Sequence, residues 1–228
     1  MSALISTSAM SQTSVFDLPS YVQSSYLGLI RTQLVVSLGA TLAGLVIALP
    51  LGQLCSRLPK LYPATLGVVT LIYAIPSIAL FVLLIDITGT SETTVFIPLT
   101  LYTLAILVPG VVDGIRSVPR NVLDAADGMG YGRVRRYLAV ELPIALPTLM
   151  AAIRVAAVSS LSLMSIGATI GNFGGFGDLF LLGLKFFDNR LIWLGLISLL
   201  VLSVLCDLLL RGVQRLLTPW ARSLRSFG

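Results

Sequence analysis

Few side chains in this sequence can do chemistry. Of 228 residues only 11% are charged, and histidine is absent. That absence excludes a histidine-ligated metal, a histidine proton relay and a Ser-His-Asp triad. Cys55 and Cys206 stand singly in apolar surroundings, which fits neither a disulfide framework nor a zinc site. The only lysines, Lys60 and Lys185, do not follow glycine, so the sequence has no G-x4-G-K-[ST] cradle for nucleotide phosphates. Gly128-Met-Gly130-Tyr-Gly132 lacks the G-x-G-x-x-G spacing and a preceding strand, and reads as a turn. No cofactor, metal or catalytic residue is expected. A gradient-driven carrier places ionisable groups inside its spans, whereas Asp86, Glu92, Asp113 and Asp207 fall at or near the ends of apolar segments. Arg154 is the exception, about two turns inside such a segment, and reads as snorkelling toward its polar end in preference to gating. Asp207 and Arg211, one helical turn apart, suggest a local ion pair.

The elements that must hold these residues are membrane spans. Residues 32–56 and 61–85 are charge-free runs of 25, and 56% of the chain is apolar. About 18 apolar residues suffice to cross a bilayer. Five spans are expected, at 32–55, 62–85, 93–112, 146–170 and 191–210. Lys and Arg are retained on the cytoplasmic side. With the N-terminus outside and the C-terminus inside, eleven of the 15 basic residues lie on that side. The net charge of +5 is then a consequence of topology, with no nucleic-acid stripe. Residues 1–14 are rich in Ser and Thr and carry no basic residue, so they do not form a secretory signal. Residues 16–30 read as a short helix along the interface, with Tyr21 and Tyr26 at headgroup level.

Two connections carry information. The longer, residues 113–145, holds the densest mixed charge in the chain. Ser117 suits a helix cap, Pro119 the first turn, and Gly130 a left-handed stop. Val122, Leu123, Ala126 and Met129 share one helical face, with Asp124 and Asp127 displaced from it. A second, basic helix is expected through Arg133, Arg135 and Arg136 to Leu142-Pro143. Such a helix-turn-helix either docks a soluble partner or merely links two spans along the interface. The other connection, 171–190, places Gly171, Gly174, Gly175, Gly177 and Gly183 among phenylalanines and suggests a re-entrant or tightly folded element. Gly110-x3-Gly114 and Gly167-x3-Gly171 could let helices approach closely, against a partner not specified by the sequence. Five spans are few for a transporter acting alone, and no inverted repeat is visible, so association is expected.

The spacing in the longer connection resembles the E-A-A-x3-G-x9-I-x-L-P loop of permeases in binding-protein-dependent ABC importers. Asp124-Ala125-Ala126 is followed by Gly130, Val140, Leu142 and Pro143 at the matching offsets, with Asp in place of Glu and Val in place of Ile. The resemblance implies an all-α, MetI-like permease domain over residues 31–228, in the bacterial cytoplasmic membrane, with the coupling loop at 113–145. It implies that Asp124, Ala125, Ala126, Gly130, Leu142 and Pro143 couple the spans to cytoplasmic ATPase subunits, where ATP is hydrolysed. A second permease, identical or related, and an extracytoplasmic substrate-binding protein complete the implied assembly.

Ala74-Ile-Pro-Ser-Ile-Ala-Leu-Phe81 is similar to the I-P-S-[LI]-A-L segment of quaternary-amine osmoprotectant permeases, the importers of glycine betaine, carnitine and choline. Gly114-Ile-Arg-Ser-Val-Pro119 and the glycine-rich segment 170–178 are similar to the same class, although Tyr73 stands where Gln is common. Pro76 interrupts the second span's hydrogen-bond ladder and could hinge it. Tyr73, Pro76 and Ser77 are therefore candidate pathway residues, the alternative being a packing kink that touches no solute. No aromatic cage for a quaternary ammonium is recognisable. The expected function is the permease subunit of an osmoprotectant ABC importer. The alternatives are a methionine-type permease and a non-transporting membrane scaffold.

Overall fold

Hydrocarbon offers backbone polar groups no water, so a spanning chain must close its hydrogen bonds within helices. The computed structural model describes residues 20–171 and 174–221. In chain order its α-helices are α1 (Ser20–Arg57), α2 (Leu61–Ala74), α3 (Ser77–Thr88), α4 (Glu92–Arg116), α5 (Arg120–Gly128), α6 (Arg133–Arg136), α7 (Leu142–Gly171), α8 (Gly177–Phe186) and α9 (Asn189–Leu217). Four helical runs are long and apolar enough to cross a membrane: α1, α4, the run from α6 through α7, and α9. The α2–α3 pair is apolar enough only when its two helices are taken together, bent by 86° at their break, and counted as one span it brings the number to five.

Glycines set how these helices pack. A Cβ at Gly44 would lie 2.1 Å from Thr103 Oγ1, and one at Gly52 would lie 2.5 Å from Val111 Cγ1, so α1 and α4 run parallel at close range. A Cβ at Gly110 would sit 2.3 Å from Ala152 Cβ, while Gly114 faces Ala145 and Gly167 faces Val95. Helix α7 is therefore antiparallel to α4. Gly110, Gly114 and Gly167 are thus occupied by contacts inside the chain, between α4 and α7. Gln214 Nε2 donates to the Pro147 carbonyl at 3.2 Å, which brings α9 back antiparallel to α7. Arg57, α5, α6 and Leu217 consequently share one end of the bundle, and Thr88, Gly171 and α8 share the other.

Several boundaries differ from the sequence reading. Helix α1 is continuous from Ser20 through Arg31 to Arg57, so no break separates an interfacial helix from the first span; residues 1–19 lie outside the described residues. The Tyr26 hydroxyl is hydrogen-bonded to Ser198 on α9, and its ring lies 6.1 Å from that of Phe176. The second span is two short helices of 14 and 12 residues, about 21 and 18 Å long. The long connection shrinks at both ends. Helix α4 runs on to Arg116, and Ser117 closes α4 instead of capping α5, its Oγ donating to the Gly114 carbonyl at 2.7 Å. The basic helix is not separate either. A π-helical turn, Tyr137–Glu141, joins it to α7 without interruption. Pro143 offers no amide to the preceding turn, and a π turn is a way to absorb that loss.

The glycine-rich connection is tightly folded, as expected. Gly174 and Gly175 adopt φ of +82° and +88°, which turns the chain sharply into α8. Fully buried Gln33 on α1 ties this turn down, accepting from Phe176 N at 3.0 Å and donating to the Leu161 carbonyl at 2.6 Å and to Ser165 Oγ at 3.0 Å. Burial pushes the nearby Asp178 carboxyl up to about 6.

If the α4–α7 contact limits the fold, Gly110→Leu lowers stability by about 1–3 kcal/mol through overpacking. Gly67, which has nothing within 4 Å of a Cβ, should accept alanine without loss. Melting of the purified protein in detergent compares the two.

Candidate functional site

At the Arg57 end of the bundle, α5 and the turn after it present a small exposed surface. The helix terminates as the sequence requires: Gly130 has φ of +78°, the Tyr131 amide donates to the Ala126 carbonyl at 3.1 Å, and the Gly130 amide donates to the Asp127 carbonyl at 3.0 Å. This is the Schellman arrangement, in which a left-handed glycine lets the last carbonyls find partners. Ala126 is buried, whereas Asp124, Ala125 and Gly130 are exposed. Met129 is exposed too and does not join Ala126 in the packed face. The outward surface of α5 and its turn thus carries Asp124 and Asp127, small residues at Ala125, Gly128 and Gly130, and the exposed side chains of Arg120, Asn121 and Met129.

Ionic contacts connect α5 to the spans. Asp127 pairs with Arg136, whose Nε also donates to Glu141 Oε1 at 3.0 Å. Glu141 is 4% exposed, and Arg57 of α1 approaches the same oxygen at 4.0 Å. Oriented with its oxygen toward Arg57, the Gln53 amide accepts from Nε and Nη2 at 2.7 and 2.8 Å. A buried carboxylate is tolerated only when paired and hydrogen-bonded, and Glu141 meets that condition with arginines from two elements. Leu142 and Pro143 follow it directly, in the first turn of α7. They lie on a span, apart from the exposed surface of α5.

A second site lies at the bend between α2 and α3. The Ile75 amide turns back to the Ile72 carbonyl at 3.2 Å, and the Tyr102 hydroxyl of α4 donates to the Ile75 carbonyl at 2.8 Å. Beside this break is a cavity of about 420 Å³, lined by Tyr73, Pro76 and Ser77 together with Tyr102 and two serines of α7, Ser159 and Ser162. The three pathway candidates from the sequence are thereby brought together. Further along α7, Ser159 also borders a groove of about 810 Å³ against α9. In that groove Arg154 Nε donates to Asp207 Oδ1 at 2.7 Å, and Arg211 Nε contacts Asp207 Oδ2 at 2.8 Å. The local Asp207–Arg211 pair is present, but Arg154 reaches across to α9 instead of snorkelling free.

The fold, the exposed α5 surface and the broken α2–α3 pair can be set beside known proteins. Residues 32–223 match the family described as the binding-protein-dependent transport system inner membrane component. The chain belongs to this family. It is accordingly a permease-type, inner-membrane component of a transport system. Among its relatives, the osmoprotectant import permease protein OsmW of Salmonella typhimurium is 35% identical over 189 residues, covering 81% of this chain and 87% of that protein. The choline transport system permease protein OpuBB of Bacillus subtilis is 30% identical over 184 residues, covering 81% and 84%. The carnitine transport permease protein OpuCD of Listeria monocytogenes is 33% identical over 175 residues, covering 76% and 78%. Among solved structures, inward-facing MetNI, a methionine ABC transporter, superposes with a TM-score of 0.78 at 22% identity, over 88% of this chain and all of that one. That likeness establishes the MetI-like helical fold.

Sequence reasoning about this permease found the ends of the site and missed its middle. Glu141 occupies an unspecified position of the coupling motif and reads as one more charge at a span end. Its burial follows from where α1 and α6 deliver Arg57 and Arg136. Tyr102, Ser159 and Ser162 sit in apolar runs of α4 and α7, and only the packing of those helices beside the α2–α3 break gathers them along a shared cavity. The Arg154–Asp207 pair spans 53 positions, and only the antiparallel packing of α7 and α9 brings its members together. Glu141→Ala and Arg136→Ala should each lower stability by about 1–3 kcal/mol, and the double variant should cost less than the sum of the two. A double-mutant cycle on detergent melting checks the coupling.

Proposed function

We propose that this chain is the membrane-spanning permease of an ABC importer for small osmoprotectants such as glycine betaine, carnitine or choline. The observation that carries the reading is similarity, over about four-fifths of the chain, to permeases named for these solutes. Two permeases, identical or related, flank one pathway, a soluble binding protein delivers solute from outside, and cytoplasmic ATPase subunits supply the energy. The α5 end faces the cytoplasm, supported by the basic residues gathered there, and the N-terminus lies outside. Asp124, Ala125, Ala126 and Gly130 form the coupling surface that the ATPase meets. Leu142 and Pro143 begin the span that receives its movement, and the pathway passes Tyr73, Pro76 and Ser77 at the broken span.

Physically, closure of the ATPase pair moves α5, and the Asp127–Arg136–Glu141–Arg57 contacts carry that displacement into α7 and α1. The methionine-type alternative rests on likeness at 22% identity, which speaks to fold and not to solute. A scaffold without transport would leave the exposed coupling surface without a purpose.

Co-expression with the cognate ATPase and binding protein, followed by uptake of radiolabelled choline, carnitine and glycine betaine, tests the reading. Gly130→Val forces a β-branched residue into the left-handed region. It should lower uptake roughly tenfold, the equivalent of about 1.4 kcal/mol of strain at the coupling turn. Uptake of methionine but none of the three osmoprotectants, or full uptake by Gly130→Val, contradicts it.

A further inference from the structure

We infer that the cavity at the α2–α3 break is a transient subsite for a quaternary-ammonium head group, with the Tyr73 ring as the surface on which that group rests. The inference depends on the osmoprotectant reading and adds where inside the membrane the solute pauses. Tyr73 and Tyr102 are 29 positions apart in the chain, and the packing of α2 on α4 brings their rings to 5.7 Å, meeting edge to face at 87°. Tyr102 cannot turn away: it is 3% exposed, and its hydroxyl is bonded to the Ile75 carbonyl. Tyr102 is therefore a positioning residue that fixes the orientation of Tyr73. Tyr73 itself is 50% exposed and borders the cavity. It has free surface to offer.

The lining contains no Asp, Glu, Lys or Arg. A quaternary ammonium has no N–H to donate, so hydrogen-bond acceptors cannot hold it as they hold a primary amine. It is drawn to aromatic faces and to outward-pointing dipoles. The Tyr73 ring offers such a face, without a carboxylate that would retain the solute. Ser77, Ser159 and Ser162 supply hydroxyls suited to the remainder of such a solute, whether an alcohol or a carboxylate. Ser159 also borders the groove toward Arg154. A site of this kind binds weakly and releases, as a step in transport must.

The test uses the complete importer in proteoliposomes with saturating, loaded binding protein, reading both solute uptake and ATP hydrolysis. Tyr73→Leu should lower the uptake of choline and glycine betaine by about two- to thirtyfold, the range of a lost cation–π contact. Stimulated ATP hydrolysis should stay within about twofold of the parent, since the coupling surface is untouched. Tyr73→Phe, which keeps the ring face, should restore uptake, and Tyr102→Phe should fall between the two. If Tyr73→Leu imports at the parent rate, or Tyr73→Phe is as impaired as Tyr73→Leu, the subsite is overturned. If the parent complex imports none of the quaternary ammonium solutes, the osmoprotectant reading falls instead. Loss of both uptake and ATP hydrolysis in Tyr73→Leu alone would also overturn the subsite, because it would mark Tyr73 as structural.

Discussion

A carboxylate buried at the edge of a membrane bundle must be neutralised where it stands, and Glu141 imposes that demand on this molecule. Its partners are Arg136, on the helix that leads into α7, and Arg57, at the end of α1. Satisfying it holds the two longest helical runs and α5 in one register. Because Arg136 also reaches Asp127, the small exposed helix α5 is not a loose appendage. It is anchored by charge to the elements that would have to move. Ion pairs this close to water contribute modest stability, so the value of the arrangement lies in connection and geometry.

The rest of the bundle complements that anchor with close packing. In a membrane, apolar side chains gain little by leaving lipid, so helices associate through backbone proximity and polar contacts. Gly44, Gly52 and Gly110 provide the proximity; Gln33, with the Ser37–Ser160 contacts, provides the polar contacts between α1 and α7. A rigid core of α1, α4 and α7 results, against which the α2–α3 pair is the one broken element among the described helices. Proline removes a backbone donor there, and the Tyr102 hydroxyl accommodates the Ile75 carbonyl at the bend. Irregular backbone at membrane depth is tolerated when it lines a cavity, and this one does.

Local signals in the sequence carried a great deal. Charge-free runs identify the spans, and Gly130 at φ of +78° stops α5 where the motif places a glycine. Pro76 marks the break, though not its 86° bend, because the angle is set by packing of α2 and α3 on α4. Helices extend past the charge-free runs at several span ends, as α1 does through Arg31. Pairings across the bundle were illegible for a simple reason. Tyr73 with Tyr102, Arg154 with Asp207 and Glu141 with Arg57 depend on helix order and register, which periodicity within one helix does not encode.

The central claim is that α5 is the surface on which the ATPase acts, anchored to the spans through Glu141. Site-directed labelling reads this directly, because Cys55 and Cys206 are both buried and leave a low background. In permease alone, Ala125→Cys should react readily with a soluble maleimide, as its exposure requires. In the assembled importer the same cysteine should be shielded. Equal labelling in the presence and absence of bound ATPase would contradict the account.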